Sequence, residues 1–233
     1  EKEMEFAKCF VDTNGTTLLV FNDGVNAMKV SVWGKSESAS KTFSVPFAKK
    51  IFSDPYIELD NKNNQLLFAG FYDNEVGMSE AAAYGFFYKT YDYTLGTLTN
   101  QSLTAFPDSF IQSLTGRLPS QNNNRLYTFS IKKVIQRMDG GVLIAAESSI
   151  KDRREEPIVS LSSINPYTSY RTINTFQYND IIAFSINASG NLEWNSIMRK
   201  KQYSEDDNGF NSSFVCVNLK EQLRFIFPED ISF

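Results

Sequence analysis

Polar turns alternate with short apolar runs along the chain, and one arrangement returns four times. A turn rich in Asn, Asp or Gly leads into an apolar run in Asp12-TNGTTLLVF, Asp60-NKNNQLLFAG, Met138-DGGVLIAA and Asn218-LKEQLRFIF. The first apolar residues after these turns are Leu18, Leu66, Val142 and Leu223, at uneven intervals that imply loop insertions in the later units. An apolar strand, a polar turn and a second apolar strand make a hairpin.

A second strand pair follows each of the first three hairpins. These pairs are Met28–Trp33 with Thr42–Phe47, Gly85–Asp92 with a turn at Gly96, and Ile181–Ile186 with Leu192–Ile197 across the turn Asn187-ASG. Two hairpins per unit make a four-stranded antiparallel sheet, and several such sheets set radially make a propeller. The predicted fold class is therefore all-β and β-propeller-like, with three to four repeated blades forming a partial ring. The approximate units are 5–50, 55–115, 126–202 and 210–233, the last cut after its first hairpin, within a single domain or part of one. In Gly85-FFYKTYD both faces are apolar or aromatic, which predicts an inner strand buried between layers. One segment departs from the β pattern: Pro107-DSFIQSL carries Phe110, Ile111 and Leu114 at helical spacing and predicts a single short helix.

Composition narrows the class. The chain of 233 residues is long enough to bury a sizeable core. It holds 20 Phe and 11 Tyr, which suit a pleated, half-buried surface. The net charge of −4 gives no footprint for nucleic acid, and no apolar run is long enough for a transmembrane helix. The two cysteines, Cys9 in AKCFV and Cys216 in FVCVN, read as buried free thiols, with a disulfide tying the ends as the alternative. The start at Glu1 lacks a basic and apolar leader, and the end has no closing element, so a processed or partial piece is expected.

The chain contains no histidine. That removes Ser-His-Asp and Cys-His nucleophilic sites, and His-based zinc, copper and iron sites. No Gly-rich phosphate loop occurs. No catalytic, cofactor-binding or metal-ligating residue is assigned, and no cofactor is expected. Carboxylates remain, since a glycosidase needs only two. Asp12, Asp60 and Asp92 recur near strand ends, where the competing explanation is that an Asp side chain bonds its own turn. Ser204-EDDNGF resembles a calcium loop only at Asp206, Asn208 and Gly209; with Ser204 first, Val215 falls where a bidentate Glu belongs. Candidate sugar-stacking rings are Tyr91, Tyr93, Tyr167, Tyr170, Tyr178, Trp33 and Trp194, against cross-strand packing. Sequons at Asn14, Asn100, Asn187 and Asn211 suggest loop exposure. The mixed charges of Lys151-DRREEP suggest a solvated hairpin tip.

Several stretches together carry a resemblance: Gly85-FFYKTYD, Phe106-PDSFI, Asp139-GGVLIAAE, Tyr178-NDIIAFSINASGNLEW, Lys201-Gln202, Asn208-GFNSSF and Leu223-RFIF. Over residues 85 to about 228 the chain resembles a family of large secreted or periplasmic propeller-like proteins of Bacteroidetes-type bacteria, to which no activity is assigned. It departs from that pattern at Asp207-Asn208-Gly209, where the family has Asp-Gly-Gly, and at Phe227-Pro228-Glu229, where the family has Phe-Asn-Asp. The resemblance implies a propeller fold, a periplasmic or cell-surface location, and longer full-length members.

Three functions remain open. The first is a non-enzymatic interaction or scaffold module with protein partners, an accessory of an outer-membrane or secretion assembly. The second is a glycan-binding protein or carboxylate-only glycosidase. The third is a fragment of a larger secreted enzyme. For the first, the candidate contact surfaces are the insertions Val76–Tyr84, Leu118–Arg125, Lys151–Pro157 and Gln202–Gly209.

Overall fold

The computed structural model describes residues 4–23, 27–36, 39–47, 50–51, 55–73, 83–116, 128–160, 167–210, 212–219 and 222–228. Among the described residues the protein is all-β with one short helix. The first sheet has the order β1-β2-β3-β4, from Glu5–Val11, Thr17–Asn22, Ala27–Trp33 and Lys41–Pro46. The second centres on β7 (Gln65–Asp73) and β8 (Gly85–Asp92), with β9 (Thr97–Ala105) beyond β8. On the other side β7 pairs with β6 (Tyr56–Asp60) and with the two-residue β5 (Lys50–Ile51). The third runs β10-β11-β12-β13, from Phe129–Gln136, Val142–Ser160, Tyr167–Ile186 and Leu192–Met198, and β14 (Gln202–Glu205) also pairs with β12. Last, β15 (Val215–Leu219) and β16 (Gln222–Ile226) make a two-stranded sheet. All four turns that open the repeated pattern connect hairpin strands, and each of the first three hairpins is joined by a second. Among the described residues no sheet closes on itself.

The chain divides into two compact units. One comprises Glu1–Tyr127, Val134–Ile144 and Phe184–Asn195; the other comprises Thr128–Lys133, Ala145–Ala183 and Ser196–Phe233.

In the first unit, β8 is buried along nearly its whole length, as its two-faced apolar sequence predicts. Strand alternation sends Phe87 and Tyr91 to one face and Phe86 to the other. Phe87 and Tyr91 join Leu18, Val20, Val30 and Val45 of the first sheet in one apolar core. The Phe86 and Phe184 ring centres lie 4.8 Å apart, and Phe184 lies 5.0 Å from Phe110 of the helix. Each such fully buried side chain contributes roughly 1.5–3 kcal/mol relative to exposure. The helix α1 (Asp108–Thr115) follows Pro107 and ends at Gly116, whose φ of 71° closes a left-handed cap. Eight residues are too few for a helix to stand alone in water, so the buried Phe110 and Ile111 are what hold it.

In the second unit the apolar core is smaller. Ile173, Phe176, Ile181 and Ile182 are buried, and so are the polar Glu147, Thr175 and Gln202.

Candidate functional site

The three recurring aspartates do structural work on their own turns. Asp12 Oδ1 accepts the N–H groups of Asn14 at 2.8 Å and Thr16 at 2.7 Å. Asp60 Oδ1 accepts the N–H of Lys62 at 2.9 Å, and its Oδ2 accepts from Asn63 Nδ2 at 2.7 Å. Asp92 Oδ1 accepts the N–H and hydroxyl of Thr94, at 2.8 and 2.6 Å. These are Asx-type turns, in which a short side-chain carboxylate replaces a backbone acceptor. Tyr93 adds a link between turns: its buried hydroxyl donates to Asp12 Oδ2 at 2.9 Å and to Asn64 Oδ1 at 3.2 Å.

Electrostatics follow from that geometry. Burial alone pushes the Asp12 carboxyl upward, but the Thr16 N–H, the Tyr93 hydroxyl and the Asn14 N–H together hold it below its ordinary value. The Tyr93 hydroxyl is driven far above the usual tyrosine range, first by burial, then by its bond to Asp12, with Asp92 and Asp60 adding to the effect. A carboxylate held down by donors is a poor proton donor near neutral pH. Asp12 is better suited to fixing its turn than to acid–base work.

The other sequence-derived candidates separate by exposure. Tyr91, Tyr93 and Tyr178 are buried and so present no ring face to a sugar. Trp33 is half-buried, Tyr170 and Trp194 are exposed, and the Tyr167 side chain lies outside the described residues. In the Ser204–Phe210 turn, Asp207 Oδ1 accepts from Ser204 Oγ and the Gly209 N–H, both at 2.8 Å. Asp206 Oδ1 accepts the N–H of Asn174 at 2.8 Å, and Val215 lies in β15. Among the described residues no group of three acidic or cysteine side chains gathers as a cation site.

Four expectations are corrected. Cys9 is exposed and Cys216 is half-buried; both are free thiols. The reason is positional: β1 is an edge strand, so the apolar look of AKCFV does not mark a core. Lys151–Pro157 is part of the long strand β11 and not a hairpin tip. Its charges find partners there, with Arg154 at 2.9 Å from both Glu156 of the same strand and Glu205 of β14. Asn100 sits within β9 and not in a loop, and Asn211 lies outside the described residues. Gln202–Gly209 begins as strand β14 before it turns. Leu118–Arg125 lies wholly outside the described residues, and only Ala83 and Tyr84 of Val76–Tyr84 lie within them.

The second unit holds a buried charge cluster that no pattern in the sequence marks. Glu147 is fully buried and accepts a hydrogen bond from Ser213 Oγ at 2.5 Å. Lys200 Nζ, itself buried, lies 2.7 Å from Glu147 Oε1, and Lys132 Nζ lies 3.9 Å from Oε2. The Lys200 contact is ionic, since Oε1 receives no aligned hydrogen bond. Lys200 also donates to Gln202 Oε1 at 2.5 Å and faces the Phe227 ring at 5.6 Å. Lys132 lies 5.7 Å from the centre of the Tyr178 ring. Burial lowers the Lys132 ammonium, against the opposing pull of Glu147. In the sequence Glu147 closes the apolar run VLIAAE, and nothing marks its partners, which come from distant positions.

A second feature concerns an edge. In the first sheet β1 pairs only with β2 among the described residues. Its residues are almost all exposed, with Phe6 at 57% and Val11 at 61%. The opposite edge, β4, begins at Lys41 and ends at Pro46, residues that discourage further pairing. No helix among the described residues is long and apolar enough to cross a membrane. No protein family, curated protein or solved structure matches the chain.

Proposed function

We propose that the chain is a non-enzymatic, extracytoplasmic protein-binding module of propeller-like build, an accessory of an outer-membrane or secretion assembly. The observation that carries binding is the β1 edge, where Phe6 and Val11 stand exposed on a strand whose outer side pairs with no other strand among the described residues. Such an edge accepts an extended peptide as an added strand: backbone hydrogen bonds supply affinity and alternate side chains supply specificity. A register shift between Phe6 and Lys8 limits indiscriminate pairing. The favoured partner is therefore an extended segment with apolar residues in alternation. The turn-bound state of Asp12, Asp60 and Asp92 supports the non-enzymatic reading over a carboxylate glycosidase. The compartment and the propeller arrangement rest on the resemblance of residues 85 to about 228 and on the repeated hairpins.

The exposed thiol of Cys9 permits a direct test. A photo-crosslinker placed there is expected to capture one defined protein from an envelope fraction, and Phe6→Lys or Val11→Lys is expected to abolish capture while leaving the melting temperature unchanged. Capture that survives both substitutions removes β1 as the binding edge.

A further inference from the structure

On the second sheet of the first unit, one face leaves space that its neighbours do not fill. Gly70 in β7 and Gly85 in β8 lie on the face shared by Tyr72, Phe87 and Lys89, by strand alternation and pairing. A Cβ at Gly70 would fall 2.6 Å from the Phe87 ring, and one at Gly85 would fall 2.7 Å from the Tyr72 ring. The two glycines thus let both rings lie down across neighbouring strands. Beside them opens a cavity of about 300 Å³, completed by Phe47 and by Gln101, Ser102 and Leu103 of β9. That volume is at the small end of ligand cavities.

We propose that this cavity binds a small amphipathic monocarboxylate, with its apolar body against Phe87 and Tyr72 and its carboxylate against Lys89 Nζ. Three observations argue for that class. The floor is aromatic and buried, with Phe47 at 7% exposure and Phe87 at 3%, so it favours an apolar body. Among the described residues Lys89 is the single cation of the lining, and it calls for a single negative charge. Its ammonium lies 5.9 Å from the Phe47 ring centre and gives one hydrogen bond to Pro46 O at 2.6 Å, leaving donor capacity from its three N–H bonds. Burial lowers the ammonium's pKa, which marks a charge short of water that an entering carboxylate would compensate. A sugar fits less well, because each buried hydroxyl needs a partner and the lining residues Phe47, Phe87 and Leu103 have no polar side-chain atom.

Titration of the whole chain with phenylacetate and with hexanoate, by calorimetry and thermal shift, tests the proposal, with phenylacetamide as the neutral control. Both acids are expected to bind and raise the melting temperature, and the amide is not. Lys89→Met is expected to weaken binding at least tenfold. Leu103→Trp is expected to close the mouth without harming the fold, because Leu103 is 48% exposed. Phe6→Lys is expected to leave acid binding unchanged, which separates this site from the β1 edge. Failure of both acids to bind, equal binding of the amide, or binding unaltered in Leu103→Trp overturns the proposal.

Discussion

The two units solve the problem of a small β core in opposite ways. The first is held by rings: Phe71, Phe86, Phe106, Phe110 and Phe184 form one connected aromatic group, and Asp12, Asp60 and Asp92 stay at its turns. The second has fewer rings and instead encloses Glu147, Lys200 and Gln202. Trimming a ring in the first unit costs its burial and leaves a cavity, but strands no charge. Removing one partner of a buried ion pair leaves the other charge away from water even when the side-chain volume is kept. A substitution that keeps shape should therefore cost more in the second unit than in the first.

The sharpest way to break this comparison is at Glu147. Glu147→Gln leaves the Lys200 ammonium buried without its counter-charge, and a loss of about 3–5 kcal/mol is expected in denaturant unfolding. The double change Glu147→Leu with Lys200→Met removes both charges and is expected to recover most of that loss. Equal damage from the single and double variants would mean that packing, and not charge pairing, holds the second unit. The Tyr178 hydroxyl offers a spectroscopic check. Burial raises its pKa, and Glu147 and Asp207 add to the effect, so its titration should move down in Glu147→Gln.

A smaller effect is expected in the first unit from Tyr93→Phe. It removes the hydroxyl that Asp12 and Asn64 share and should cost about 1–3 kcal/mol, the range for leaving a buried acceptor unsatisfied. The pH dependence gives a second reading of the same contact. Asp12 has a folded pKa below its ordinary value, so its stabilisation is fully present above the ordinary value and is lost as pH falls through the lowered one. Tyr93→Phe should raise the folded pKa of Asp12 and shrink that acid-sensitive component. An unchanged acid limb of the stability curve would show that the turn N–H groups alone set the Asp12 charge.

These residues also show what sequence reveals and what it hides. The hairpins were legible because Asp12, Asp60 and Asp92 mark turns by a local mechanism, and α1 was legible from Phe110, Ile111 and Leu114 at helical spacing. Burial was less legible. The apolar run around Cys9 belongs to an exposed edge, because the pattern of a strand does not say whether a neighbour covers it. Glu147 was hidden for the converse reason: its partners Lys132, Lys200 and Ser213 are distant in sequence, and only tertiary structure joins them. The aromatic cavity beside Lys89 was hidden too, since it depends on Gly70 and Gly85 sharing one face across two strands.

The smallest expected effect lies on the outer half of β11 and bounds the comparison from below. Arg154 sits between Glu156 and Glu205, 2.9 Å from each, with its side chain about half exposed at 48%. Water screens such pairs and ordering long side chains offsets much of the attraction, so exposed ion pairs contribute about 0.2–1 kcal/mol. Arg154→Ala should stay within that range and should matter less still as salt rises, because added ions shorten the reach of surface charges. The same salt series on the wild type should leave the contribution of the Glu147–Lys200 pair nearly unchanged, since buried pairs are screened much less. Unfolding free energies of Arg154→Ala and Glu147→Gln, measured from low to high ionic strength, give the contrast directly. If both variants lose their effect together as salt rises, the Glu147 pair is reached by solvent, and the second unit is not held by a buried charge.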